Sequence, residues 1–480
     1  MQLAFGNGPI ATNTVPYPLR LGYHFSDHPD GHADGKNRGQ VLRKTHELLK
    51  QIDVPRIVVY DAAERGPLFE HWPPLGRTAV YGKTGQSDEG VIRTFAARAF
   101  RRPVTDDDVA PFLKVAAAKP EGVRTAIEAI LCSPQFLYLY ENDGPLDDYA
   151  IASRLSYFLW NTMPDATLMK LASQRKLREP NVLLEQTERM LSDPKSGEFV
   201  ATFVGQWLKL QNMRDMAPDP TKFNDFYRRR LGDAMVKESE MFFRHLLDEN
   251  LPVDDFINAD FTFLNAALAR HYGIPGVVKT KLHRVRLVHN AHRGGLLGQG
   301  AVLTASANGV DTSPVKRGVW VLENLLGTPP APPPDNVDVP EPDARGDLTI
   351  RQFYAKHRTI QTCNQCHKKI DPLGFALENF DPVGRWREKY ASGRVIDASG
   401  RMPNGNEFTD VTEMKEILRK DTRLFKRNLT AKLLTYATGR IMEAPDRPSI
   451  DKIVIDIEAK GLGLRDLVKA VVTSEIFLTK

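Results

Sequence analysis

Two of the chain's three cysteines stand three positions apart and are followed at once by a histidine. The segment CNQCH places Cys363, Cys366 and His367 within five consecutive residues of a 480-residue chain. Thiols and imidazoles attach cofactors, bind metals and exchange electrons. Their spacing indicates which of these chemistries the segment can carry out.

Three interpretations of the motif each lack a necessary element. A disulfide between Cys363 and Cys366 would close only a very short loop, so it would add little stability. A thioredoxin-like redox pair needs a preceding strand in a βαβ pattern, whereas the neighbouring sequence has helical patterns. A zinc site needs four ligands, and no second C-x-x-C or H-x-x-x-H lies nearby.

A fourth interpretation uses every member of the motif. In C-x-x-C-H, two thiols add to the vinyl groups of haem and the adjacent histidine gives an axial nitrogen to the iron. We therefore expect one haem c, with Cys363 and Cys366 as thioether anchors and His367 as the proximal iron ligand.

Residues downstream are candidates for the rest of the haem environment. A ligating histidine usually donates its other ring N–H to a carbonyl or carboxylate. We expect IDPLG to form a rigid turn, with a carbonyl near Pro372 accepting that bond. We expect the flat apolar cover of the porphyrin to come from three aromatic residues: Phe375, Phe380 and Trp386.

Met402, in the loop SGRMPNGNEF, is the candidate for the sixth coordination position. We expect it to be a weak or absent ligand, because nothing in its flanks indicates a rigid loop and fixing a methionine costs rotamer entropy. An open iron would favour small-ligand or peroxide chemistry over plain electron transfer.

The segment TSPVKRG (312–318) predicts a helix start, with Ser313 as the N-cap and Pro314 as the first helical residue. Lys316 and Arg317 are then expected to be surface cations. A haem propionate bound at this helix N-terminus is the alternative.

The composition is that of an ordinary globular protein, with 41% hydrophobic and 26% charged residues. The 65 basic and 60 acidic residues are spread along the chain, which does not favour a nucleic-acid partner. No apolar run approaches the roughly 18 residues needed to cross a bilayer.

The patterning predicts a mainly α protein of several consecutive helical domains. Residues 1–85 form a mixed region with one β-like run (56–61), which we expect to be the truncated remnant of a larger β-rich domain. The helical modules are expected over four ranges: 88–144, 146–276, 284–392 (with CNQCH and the Pro-rich connector 328–343) and 405–480.

The first and last modules share an internal repeat. GVRTAIEAILCSPQFL (122–137) aligns without a gap on GLRDLVKAVVTSEIFL (463–478), and each follows an apolar helix and an Asp-containing loop. Within the first copy, Cys132 lies in an apolar run and is expected to be a buried free thiol.

Long stretches of the chain resemble the large multidomain cytochrome-like proteins of planctomycete-type bacteria. These proteins are assembled from a string of domains of unknown function. The likeness runs from about residue 66 to the end and is carried by RGGLLGQGAVLTASANGVDTSPVKRGVWVLENLLGTPPAPPP, CNQCHKKIDPLGFALENFDPVGRWR, RLSYFLWNTMPDATL and DFTFLNAALARHYGIPG.

The resemblance implies a periplasmic, secreted or cell-surface protein with an upstream part that this chain lacks, together with its export signal. Carried over by position, it assigns the haem anchors to Cys363, Cys366 and His367, and apolar residues other than methionine are common in the family where Met402 stands.

Two functions follow as hypotheses. The first is an extracytoplasmic c-type haem protein that passes electrons to or from a redox partner, or oxidises an external substrate. The second is a non-catalytic scaffold linked to polysaccharide or cell-surface material, in which CNQCH is structural. A hydrolase is not favoured, because neither a nucleophile elbow nor H-E-x-x-H is present.

Overall fold

Helices build almost all of the structure, a computed structural model that describes residues 75–81, 85–118, 121–139, 141–215, 217–288, 291–331, 349–357, 361–402 and 404–480. This confirms the mainly α class. The β-like run 56–61, most of the region 1–85 and residues 332–343 of the Pro-rich connector lie outside these ranges.

The helices are numbered in chain order. In the first half they are α1 (Leu75–Tyr81), α2 (Asp88–Ala99), α3 (Asp106–Ala117), α4 (Gly122–Leu131), α5 (Pro134–Leu137), α6 (Asp148–Trp160), α7 (Ala166–Ser173), α8 (Pro180–Ser192), α9 (Ser196–Trp207), α10 (Asn212–Asp215), α11 (Asn224–Arg228), α12 (Leu231–Asp248) and α13 (Ala266–Tyr272). In the second half they are α14 (Gly300–Ala305), α15 (Pro314–Trp320), α16 (Ile350–His357), α17 (Gln361–Phe375), α18 (Val411–Lys420), α19 (Arg423–Thr438), α20 (Arg447–Lys460), α21 (Leu464–Val472) and α22 (Glu475–Leu478).

Short segments complete the described architecture. Single 3₁₀ turns span Val253–Phe256, Ala291–Arg293, Leu296–Gly298 and Ala444–Asp446, and α15 continues as a π turn over Val321–Leu325. Two antiparallel strand pairs join β1 (Phe261–Leu264) to β2 (His283–Arg286) and β3 (Gly400–Arg401) to β4 (Glu407–Phe408).

The chain divides into two units, residues 1–87 and 88–480. Within the second unit, helices α2 to α5 enclose a small core of their own. A much larger apolar core extends from Leu146 to Phe477. Phe158 of α6 lies 6.0 Å from Tyr436 of α19 and 6.2 Å from Phe477 of α22, measured between ring centroids. The segments at the two ends of this long stretch therefore share one core.

The internal repeat is visible in the backbone. Each copy has a helix of nine or ten residues (α4 or α21), a serine, and a helix of four residues (α5 or α22). The glycines that open the two copies lie against backbone, since a Cβ on Gly122 would come within 2.0 Å of the Ala116 carbonyl oxygen and one on Gly463 within 1.9 Å of that of Asn250. Only glycine permits this approach.

The loops that precede the two copies also match. The Arg102 guanidinium donates two hydrogen bonds of 2.8 Å to the Asp108 carboxylate, and Arg440 donates two of 2.7 Å to Asp446. In both loops the arginine and the aspartate are six positions apart in the sequence. Each aspartate also takes part in a capping box at the start of the following helix. The repeat is therefore a structural module, as the sequence predicted.

The position of Cys132 differs from the one predicted from the sequence. It is a free thiol, but it is exposed at the end of α4 and not buried. The buried positions of this helix include Ala126, Ile127 and Ile130. Cys132 lies on the solvent-exposed side of the helix end. The many apolar residues around it in the sequence gave no indication of this exposure.

Within the described ranges, no helix combines the length and apolar composition that a transmembrane segment requires.

Candidate functional site

The CNQCH segment lies in helix α17, which is held against α15 by direct backbone contact. A Cβ on Gly374 would come within 1.8 Å of the Pro314 carbonyl oxygen, and one on Gly318 within 2.1 Å of that of Ile370. The two glycines allow the helices to cross closely. Ser313 accepts the N–H of Lys316 at 3.4 Å and Pro314 is the first residue of α15, so the predicted helix start is confirmed.

Pro372 is inside this helix, where the sequence analysis expected a rigid turn. The carbonyl of Pro372 accepts the N–H of Ala376 at 3.1 Å, so it takes part in the end of the helix. A proline within a helix removes one backbone donor. The predicted turn, and with it the predicted carbonyl partner for His367, is wrong.

The partner of His367 is a carboxylate one helical turn further on. His367 Nδ1 lies 2.8 Å from Asp371 Oδ1. The side chain of Asp371 is fully buried and that of His367 is 13% exposed. The ring of Tyr354 stacks on the imidazole at 6.0 Å between centroids, with 30° between the planes.

This arrangement fixes the orientation of the imidazole. When the carboxylate of Asp371 accepts this hydrogen bond, Nδ1 carries the hydrogen, and Nε2 is then the ring nitrogen that could offer a lone pair to a metal. Asp371 was not among the residues predicted from the sequence. The signal was present as H-x-x-x-D, which becomes an i, i+4 contact once 361–375 is recognised as a helix.

The two cysteine positions share a helix face with the histidine. Positions 363, 366 and 367 are related as i, i+3 and i+4, which fall on one side of α17. Cys366 is an exposed free thiol. The side chain of Cys363 lies outside the described residues. Among described side chains, no group of three or more His, Cys, Asp or Glu could hold a metal ion.

The aromatic residues expected to cover a porphyrin are used in packing, which corrects that expectation. Phe375 is buried beside Tyr354, with ring centroids 6.3 Å apart, and the Arg351 guanidinium lies 4.3 Å from its ring centroid. Phe380 is buried in the main core. Trp386 is partly buried and stacks on His292 at 4.0 Å.

Met402 is a buried member of the main core, on the loop between β3 and β4. Its N–H donates to the Asn406 carbonyl at 2.8 Å, and its own carbonyl accepts the N–H of Gly405 at 2.9 Å. The loop is therefore held by backbone hydrogen bonds, contrary to the expectation that its flanks lack a rigid hold.

Behind α17 lies a buried ionic cluster around Arg317 and Glu378. The Arg317 guanidinium donates to the carbonyls of Leu377, Phe380 and Asp381 at 2.6, 2.7 and 2.9 Å. It lies 3.8 Å from Glu378 Oε1, and both side chains are fully buried. Desolvation lowers the pKa of Arg317 to about 10.

Arg317 is therefore neither a surface cation nor available to a propionate, and both expectations for it are corrected. Its hydrogen bonds fix the chain that leaves α17. Glu378 also accepts a hydrogen bond from Thr312 Oγ1 at 2.8 Å. Burial raises the pKa of the neighbouring Tyr390. The cluster joins the start of α15 to the end of α17, so it holds the helix that carries His367.

Four family models match consecutive parts of the chain, each described as a protein of unknown function: DUF1595 at residues 88–141, DUF1592 at 146–274, DUF1588 at 293–390 and DUF1585 at 404–477. The CNQCH helix lies in the third of these segments. No curated protein and no solved structure shows significant similarity to the chain.

Proposed function

The chain belongs to the planctomycete-type cytochrome-like proteins built from a string of domains of unknown function, and from this premise we propose that it binds one haem c at CNQCH and acts in redox chemistry. The observation that carries the proposal is the pair of His367 and buried Asp371, one position after the exposed thiol of Cys366.

The donor set suits a covalent haem. Cys363 and Cys366 would hold the macrocycle and His367 would bind the iron through Nε2. Attachment forms one C–S bond per thiol, with the thiol hydrogen transferred to the other vinyl carbon, so it needs no external oxidant. When bound, the group would exchange one electron between its ferric and ferrous forms.

The protein's own residues would tune that exchange. Asp371 holds the imidazole ring in one orientation and, through the Nδ1–H bond, increases the electron donation of Nε2. Tyr354 covers one face of the ring. The hydrogen bond from Asp371 would favour the ferric state of a bound haem, since a stronger imidazole donor stabilises the more positive iron.

We further propose that the protein acts outside the cytoplasm, in the periplasm or at the cell surface, with a soluble or surface-bound redox partner. Two considerations support this proposal: covalent haem is normally attached outside the cytoplasm, and the family resemblance points to the same location. Fractionation of cells that express the full-length gene product tests this proposal; recovery in the cytosolic fraction would contradict it.

A structural role for CNQCH is the second candidate, with the chain acting as a scaffold for polysaccharide or surface material. One observation favours it: Phe375 and Phe380, which could cover a porphyrin, are already packed in cores. A haem protein would then have to cover the macrocycle with other groups.

Expression with haem-maturation enzymes separates the two candidates. The denatured wild-type polypeptide should retain haem and the reduced native protein should show a sharp α-band. The double variant C363A/C366A should retain none. C132A is the matched control, since Cys132 is also an exposed thiol but lies outside the motif. A wild type without covalent haem, or a double variant that keeps it, would reject the redox proposal.

A further inference from the structure

A cavity of about 330 Å³ lies where helices α2 to α5 meet the start of α6. Its wall is formed by residues 100–102, by α5 and the chain that follows it, by the segment 141–147 and by the first half of α6. The boundary between the parts that match DUF1595 and DUF1592 falls within that segment. Small-molecule sites have volumes of roughly 300–1,000 Å³ and are frequent at domain boundaries, so this position and size suit a small ligand.

Uncharged polar side chains on this wall are not used inside the protein. Four of them have no hydrogen-bond partner among the described residues: Gln135, Asn142, Tyr149 and Ser153. Tyr149 and Ser153 are four positions apart on α6, which places them on one face of the helix. Ser153 is only 7% exposed. A nearly buried hydroxyl without a partner is unfavourable, so this group would gain from a ligand that binds it.

The charged side chains on the wall already have partners. They are two cations and two anions: Arg101, Arg102, Glu141 and Asp147. Arg101 donates to three backbone carbonyls of the segment 135–138, and Arg102 donates to Asp108. Glu141 pairs with the buried Arg154, and Asp147 is the N-cap of α6. The wall therefore has no net formal charge, which does not favour an ionic ligand.

The rest of the wall is largely apolar. It includes Phe100, Leu139 and Pro145, and Tyr149 adds an aromatic ring. A matching ligand has several hydrogen-bonding groups, no charge and one apolar face. A pyranose sugar meets all three conditions. Its hydroxyls both donate and accept, as side-chain amides and hydroxyls do, and the C–H groups of its ring form an apolar face that packs on aromatic and aliphatic side chains.

We propose that this cavity binds a neutral sugar, either free or as one unit of a larger glycan. The side chains of Asn142, Tyr149 and Ser153 bind its hydroxyls. Gln135 contributes from α5, so the sugar bridges the small core of α2 to α5 and the start of α6. The cavity shares no lining residue with CNQCH, and the proposal does not rest on haem binding.

Ligand-detected NMR titration of the full chain tests the proposal with the methyl glycosides of glucose, galactose and mannose. At least one should bind with a dissociation constant of about 1 mM, from the usual affinity per atom of small ligands. S153A and N142A should each raise this constant about three- to tenfold, since each removes one hydrogen-bonding group. S156A is the matched control and should leave it unchanged. Ser156 is on the same helix, is fully buried and also has a hydroxyl without a partner, but it does not line the cavity.

Charged sugars and longer sugars complete the test. Glucuronate and glucosamine should bind more weakly than the neutral glycosides. Tighter binding of cellobiose or maltose would identify a glycan unit as the ligand, and equal binding would identify a free sugar. The proposal is overturned if none of the neutral sugars binds, if a charged sugar binds more tightly, or if S153A and N142A bind like wild type. The variant C363A/C366A should bind sugar like wild type, so this proposal and that of haem attachment fail independently.

Discussion

The hydrogen bond between Asp371 and His367 should set the reduction potential of the proposed haem. The substitution D371N retains an acceptor oxygen of nearly the same shape but removes the negative charge. Asp371 is fully buried and its Oδ1 lies 2.8 Å from His367 Nδ1, so solvent screens this charge poorly.

The size of the shift in reduction potential can be estimated from the usual effect of the hydrogen-bond partner of a metal-binding histidine. Substitution of a residue that orients a metal-binding histidine typically changes metal affinity or activity by about 10–100-fold. If D371N weakens the binding of ferric iron by this factor and leaves that of ferrous iron unchanged, each tenfold change shifts a one-electron potential by about 59 mV. D371N should therefore raise the reduction potential by about 60–120 mV.

Spectroscopic redox titration of the haem-loaded protein measures this shift. The matched control is D397N, because Asp397 pairs with Arg351 at 3.0 Å in the same segment of the chain and is not the partner of His367. The control should titrate like wild type. If D371N retains covalent haem but titrates with an unchanged or lower potential, the proposed role of Asp371 is wrong.

Three further substitutions test buried side chains of the main core and of the Arg317 cluster. M402A should lower the free energy of unfolding by about 2–5 kcal/mol, as expected for a buried methionine, while cyanide binding by the ferric protein stays unchanged; tighter binding would identify Met402 as an iron ligand. R317M should lower the free energy of unfolding by about 3–5 kcal/mol in chemical denaturation, because three carbonyls lose their donor and Glu378 loses one of its two cations, the other being Arg387 at 3.5 Å. A loss below about 1 kcal/mol would contradict the role assigned to the cluster. Burial raises the pKa of Glu238 from 4.5 to about 7, so the folded state holds a proton that the unfolded state has lost, and wild-type stability should fall as pH rises through this window. Between these two pKa values the free energy of unfolding of wild type should fall by about 3 kcal/mol. E238Q should remove most of this decrease when unfolding is measured below and above this pH window. An unchanged decrease would show that other groups cause it.

The sequence was sufficient for features that depend on neighbouring residues. The helical class, the start of α15 at Ser313 and Pro314, and the repeated hairpin were all predicted, because periodicity, capping and turn chemistry act within a few positions. The CNQCH motif was also visible from spacing alone.

Contacts between distant segments decided the rest. Pro372 continues a helix because α17 is packed against α15, and this places Asp371, not a turn carbonyl, on His367. Phe380 lies in a core shared by segments from Leu146 to Phe477, which no local pattern specifies.

The clearest case is the pair of equivalent arginines in the two modules. Arg124 and Arg465 occupy matching positions, yet Arg124 is exposed while Arg465 docks on α12. Arg465 meets Leu247, a residue 218 positions away. Whether a residue is buried depends on tertiary contacts with segments distant in sequence. Two similar local sequences can therefore differ in burial.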